Sequence, residues 1–102
     1  GPYARDWGDG RRSARFRMMV DVVNDRPEIV ARIDIFDADV QEVVAESDII
    51  RSAFTAPFTY ADISLDFDLG GRRGHAMEVR VWWTDISFVR VDKVTIEVPP
   101  ND

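Results

Sequence analysis

Residues 74–98 read GHAMEVRVWWTDISFVRVDKVTIEV. Apolar and polar residues alternate along most of this stretch, the two-residue period of a strand with one covered face and one wet face. Met77, Val79, Val81 and Trp83 share one phase, while Glu78, Arg80 and Trp82 share the other. The alternation breaks at Thr84-Asp85. It resumes from Ile86 to Val98 as one long bent strand or two short ones, ended by Pro99-Pro100. Successive side chains on a strand point to opposite faces, so the adjacent tryptophans cannot both enter one core. The phase predicts Trp83 in the core and Trp82 outside, and an outward tryptophan points to recognition rather than chemistry.

The same period recurs upstream. Between Arg12 and Val23, Ala14, Phe16, Met18, Val20 and Val22 alternate with a row holding Arg15, Arg17 and Asp21. Asn24-Asp25-Arg26-Pro27 ends that strand with turn chemistry. From Ile29 to Phe36, Ile29, Ala31, Ile33 and Ile35 are expected inside, with Arg32 and Asp34 exposed. Val40 to Ile50 is less regular and fits two short strands, or a helical turn followed by a strand. In the segment Phe58 to Leu69, Ile63, Leu65, Phe67 and Leu69 alternate with Asp62, Ser64, Asp66 and Asp68. Gly70-Gly71-Arg72-Arg73-Gly74 then forms a loop in which glycine permits positive φ. There is no internal repeat, low-complexity tract or convincing long helix. Seven or eight short strands separated by turns predict an all-β fold, an antiparallel two-sheet β-sandwich, as one module over residues 1–102.

Composition narrows the function classes. The 102 residues suffice for one core, and the absence of cysteine excludes disulfides and thiol chemistry. A formal net charge of −6 argues against nucleic acid, whose partners carry basic surfaces. No apolar run approaches the roughly 20 residues of a membrane span, and no signal-peptide pattern stands at the start. The opening Gly1-Pro2, without an initiator methionine, leads us to expect a module excised from a larger protein.

The segment order also resembles a known family. The opening GPY with Trp7, Gly10 and SARFRMMVDV (13–22), then IVARIDIFDA (29–38), YADISLDFDL (60–69), GHAMEVRVWW (74–83) and FVRVDKVTIEV (88–98), resembles bacterial jelly-roll modules of the galactose-binding-like type. The closing strand of such modules carries an aspartate followed by apolar alternation, as do Asp92, Val94, Ile96 and Val98. The likeness covers nearly the whole chain, although its motifs are mostly core alternation. It implies a jelly roll of 7–8 strands and carbohydrate binding beside a catalytic domain. Such modules often hold a structural calcium. No ligand set here matches residue by residue, so that feature is not carried over.

Individual residues bear on catalysis and metal binding. His75 is the only histidine, sits where a loop enters a strand, and reads as a solvated or capping residue. No carboxylate pair stands out for glycoside hydrolysis, and a bare sandwich of this size leaves little room for a cleft, so the chain reads as a non-enzyme. Asp34, Asp37 and Asp39 cluster at a turn, and Asp6 with Asp9 brackets Trp7-Gly8. These could hold calcium, or simply serve turns by bonding nearby amides.

The strongest candidate is a face rather than a cluster. The jelly-roll likeness makes Ile29–Phe36 and the Trp82 strand neighbours in one sheet, so Trp82, Arg80, Glu78, Arg32, Asp34 and Phe36 would form one outward patch. An aromatic ring covers the C–H side of a pyranose while arginine and carboxylate bond hydroxyls, and the arginines suit an acidic sugar or sulfate equally. The same patch equally fits a docking face for another domain or subunit, or plain surface with cross-strand charge pairs. Trp7 and Tyr3 offer a secondary site, or else an aromatic plug over an open end of the core. The expectation is a non-catalytic carbohydrate-binding module recognising a polysaccharide or oligosaccharide. It needs no cofactor, leaves a structural calcium possible, contacts neighbouring domains of its parent, and belongs outside the cell or at its surface if it binds glycans.

Overall fold

The computed structural model describes residues 4–99. Among the described residues there are six strands: β1 (Arg11–Val20), β2 (Ile29–Asp37), β3 (Glu42–Ile50), β4 (Ala61–Asp68), β5 (Met77–Trp83) and β6 (Val89–Glu97). They form two antiparallel three-stranded sheets ordered β4-β1-β6 and β3-β2-β5. The chain is therefore the antiparallel two-sheet sandwich the alternation predicts, with six strands rather than seven or eight. The two candidate strands in the irregular segment are one, β3, and the long C-terminal stretch supplies only β6.

The core follows the alternation of the central strands. Ala14, Phe16, Met18 and Val20 of β1 face Ala31, Ile33 and Ile35 of β2, all fully buried, with Leu65 and Phe67 of β4 and Ile49 of β3 closing one side. Burying each large apolar side chain stabilises the fold by about 1.5–3 kcal/mol. Two register shifts in the β2–β3 pairing, at Ile29/Ala31 and Ile35/Phe36, break simple alternation. That is why Val30 is buried while Ile29, expected inside, is exposed. It also explains why the sequence of β3 reads as irregular.

Turns form where their residues supply partners. In the β2–β3 hairpin, Asp37 Oδ1 accepts the backbone N–H groups of Asp39 at 3.1 Å and Val40 at 3.4 Å. Between β4 and β5, Gly71 and Gly74 take φ of 79° and 80°, left-handed values that glycine adopts without a Cβ clash.

The side where β5 and β6 form the sheet edges is less well covered. Val79, Val81, Val89, Val91, Val94 and Ile96 are only partly buried there. Trp83 shares their phase but is 51% exposed, against 50% for Trp82. The expectation of one buried and one exposed tryptophan is therefore wrong. Strand phase sets the face a side chain takes, but burial also needs an opposing layer, and at the end of an edge strand that layer is missing.

Candidate functional site

The outer face of the β3-β2-β5 sheet carries a three-by-three grid set by strand register. Asp48, Arg32 and Trp82 stand in one row, Glu46, Asp34 and Arg80 in the next, and Val43, Phe36 and Glu78 in the third. The expected patch of Trp82, Arg80, Glu78, Arg32, Asp34 and Phe36 is thus brought together on two neighbouring strands. The β3 column of Val43, Glu46 and Asp48 completes it, and sequence reading missed that column. Glu46 and Asp48 do alternate with Ser47, but the bulge nearby hid their strand.

Asp34 departs from its expected exposure. It lies on the outward face yet is 2% exposed, because its neighbours roof it. Arg80 donates from Nε to Oδ1 at 2.8 Å and from Nη2 to Oδ2 at 2.9 Å, a bidentate arrangement. The indole Nε1–H of Trp82 donates to Oδ2 at 2.9 Å. The Arg80 guanidinium also lies over the Phe36 ring at 3.9 Å and the Trp82 ring at 5.0 Å. The Asp34 bonds raise the Arg80 pKa despite partial burial, so its charge is fixed. Each cation–π contact of this kind contributes about 0.5–2 kcal/mol, more where water is excluded.

The result is a half-exposed indole held in one orientation by a buried carboxylate. Asp34 is an anchor, with little capacity left for a ligand hydroxyl, and Arg80 keeps only Nη1 outside the ion pair. Beside the anchor, Arg32 Nε donates to Asp48 Oδ1 at 2.7 Å in an exposed pair, a geometry that water and salt screen, so it stabilises little. The bond to Asp48 raises the Arg32 pKa, and the charges of Asp48 and Glu46 add to it. Trp82, Ile29, Val43 and Thr84 wall a concavity of about 550 Å³ above these charges, within the roughly 300–1,000 Å³ of small-ligand sites.

The chain matches no protein-family model, no curated protein and no solved structure. The site's own geometry must therefore carry the functional reading.

The other candidates resolve into structural roles. Trp7 packs against the core beside Phe67, with ring centroids 5.8 Å apart, and its carbonyl accepts from Arg12 Nε. Tyr3 lies outside the described residues. His75 Nδ1 is 2.7 Å from Oδ2 of the fully buried Asp37, which also accepts from Arg72 Nη1 at 2.9 Å. Burial pushes the Asp37 carboxyl up, but the bonds from His75, Arg72 and the Val40 amide outweigh it and hold the pKa below 3.8. Asp39 bonds Arg5 and the Ala76 amide, and Asp9 bonds the Gly10 amide. These aspartates serve turns and ion pairs. Among the described residues no three His, Cys, Asp or Glu side chains converge as a metal-binding group.

Sequence reading also missed Arg51, which is 7% exposed. It donates to Glu28 at 3.1 Å, Asp21 at 3.3 Å, Ser87 Oγ at 2.9 Å, and the Val22 and Ile86 carbonyls at 3.2 and 3.3 Å. It ties the end of β1, the approach to β2 and the β5–β6 connection into one unit behind the tryptophan-bearing end. No periodicity signals such a residue, because its partners lie 23 to 36 positions away.

Proposed function

We propose that the protein is a non-catalytic carbohydrate-binding module of jelly-roll type, which takes a glycan on the outer β3-β2-β5 face. The observation that carries this reading is the locked, half-exposed Trp82 at the wall of the concavity. A stacking surface fixed before the ligand arrives avoids the cost of ordering a mobile side chain on binding. The sugar's C–H face would lie on the indole. Arg32 and Arg80 would donate their remaining N–H groups to ring hydroxyls, and Glu46 and Glu78 would accept from them. Binding of this kind needs no cofactor, and an open site of this size favours modest affinity. Such a module would work beside neighbouring domains of its parent protein, outside the cell or at its surface.

The test is a titration with a panel of soluble polysaccharides followed by tryptophan fluorescence. At least one glycan should change the emission, and Trp82→Ala should abolish that binding without unfolding the protein. Unchanged binding by the variant contradicts the site assignment.

A second reading, docking onto another protein, is favoured by a different observation. Phe58, Ile86 and Phe88 are each at least half exposed near the Trp83 end, and Phe58 and Phe88 rings approach to 6.2 Å. Phe58 is held there at φ 53°, a backbone conformation bulky residues rarely adopt. Sedimentation separates the readings: protein contact predicts a concentration-dependent association that Phe88→Ser weakens and sugars leave unchanged.

A further inference from the structure

We infer that the face selects uncharged glycans and rejects acidic ones; this rests on the glycan reading above and deepens it. The presence of Arg32 and Arg80 in the sequence suits uronate or sulfate equally well, but the structure shows where their charge is spent. Arg80 is neutralised by Asp34 through two bonds, and Arg32 by Asp48 through one. Two further carboxylates, Glu46 and Glu78, stand in the same grid, and neither has an ion-pair partner among the described residues.

The face therefore sets four carboxylates against two guanidiniums. The charge of each arginine is already balanced by its partner, and Asp34 cannot be left alone because it is buried. An anionic group on the ligand would enter the field of Glu46 and Glu78 with no free cation to meet it. The whole chain, at a net −6, adds repulsion at longer range. Hydroxyl groups have no such conflict. They donate to Glu46 or Glu78 and accept from the outer N–H groups of Arg32 and Arg80.

The expected size follows from Coulomb's law. One carboxylate about 5 Å from an anionic group in water weakens binding about fourfold, and two do so by on the order of tenfold. The penalty shrinks as salt brings the Debye length towards 3 Å.

The experiment pairs several polyuronates with their carboxyl-reduced forms, which share linkage and stereochemistry and differ in charge. Binding is measured at low and high salt on the intact protein and on Glu46→Gln/Glu78→Gln. Both side chains lie on the outer face and neither is buried, so the variant should fold, which its thermal transition verifies. We expect a reduced polymer to bind roughly tenfold more tightly than its parent uronate at low salt. The double variant should narrow that gap by strengthening uronate binding severalfold at low salt. A uronate that binds as well as its reduced form overturns the inference and leaves the glycan reading standing. A gap that the double variant does not narrow overturns it too. If no reduced polymer binds at all, the glycan reading fails and takes this inference with it.

Discussion

Replacing Asp34 by alanine tests whether the tryptophan platform is built as described. The carboxylate is 2% exposed and accepts three bonds, two from Arg80 and one from Trp82. Each bond to a charged group contributes about 1.5–3 kcal/mol net, and breaking a buried ion pair costs about 3–5 kcal/mol because the surviving charge is stranded. Arg80 retains 22% of its side-chain exposure, so water partly rescues it and the penalty should fall to about 2–4 kcal/mol. The Arg80–Phe36 contact at 3.9 Å survives the change and limits the loss further. Urea unfolding should show this as a lower midpoint with an unchanged slope. In a double-mutant cycle with Arg80→Met, the coupling should reach about 1.5–3 kcal/mol, since each single change removes the same bidentate pair. A loss under about 0.5 kcal/mol, or additive single effects, would refute the claim that Asp34 anchors the face.

Further consequences can be checked with the same methods. Arg51→Met should cost about 3–5 kcal/mol, because it strands Asp21 in a part-buried cluster and removes the tie between β1 and the β5–β6 connection. Phe16→Ala should cost about 3–5 kcal/mol, but Trp83→Ala only about 1–2 kcal/mol, since half of that indole is already in water. Acid should destabilise the protein. The Asp37 pKa is depressed in the fold, so its contribution is complete above about pH 4 and declines as pH falls through the lower folded value. Asp21, held low chiefly by its bond from Ser87, acts in the same direction. Thermal melts from pH 7 to pH 2.5 should show the loss, and Asp37→Asn should be less stable at pH 7 but less sensitive to acid.

What the sequence reveals here, and what it hides, have one physical origin. Strand phase is a local property, so β1 and the part of β2 from Ala31 onward, covered on their inner faces by a full opposing layer, place their apolar residues as alternation predicts. Trp82 and Trp83 lie on an edge strand where phase and burial separate, and Trp83 cannot be placed without knowing what lies opposite. The partners on β2 and β5 could be named because the two strands pair in unbroken register from Ala31–Trp83 to Asp37–Met77. Glu46 and Asp48 escaped notice because a bulge disturbs their strand. Asp34 is the sharpest case: its outward phase is correct, but its burial comes from Arg80 and Trp82, 46 and 48 residues away. The change alters its chemistry from ligand contact to anchor. Arg51 and the Asp37–His75–Arg72 cluster likewise depend on contacts that no local pattern records.

The central claim, that a glycan stacks on Trp82, is tested most directly by the three indole N–H resonances of the protein. Trp7, Trp82 and Trp83 each contribute one signal, assigned through single replacements. Titration with a neutral polysaccharide fragment that binds should shift the Trp82 signal strongly, with its Asp34 bond retained, and leave Trp7 nearly still. A shift centred on Trp7, or none at Trp82 while the sugar is demonstrably bound, contradicts the account.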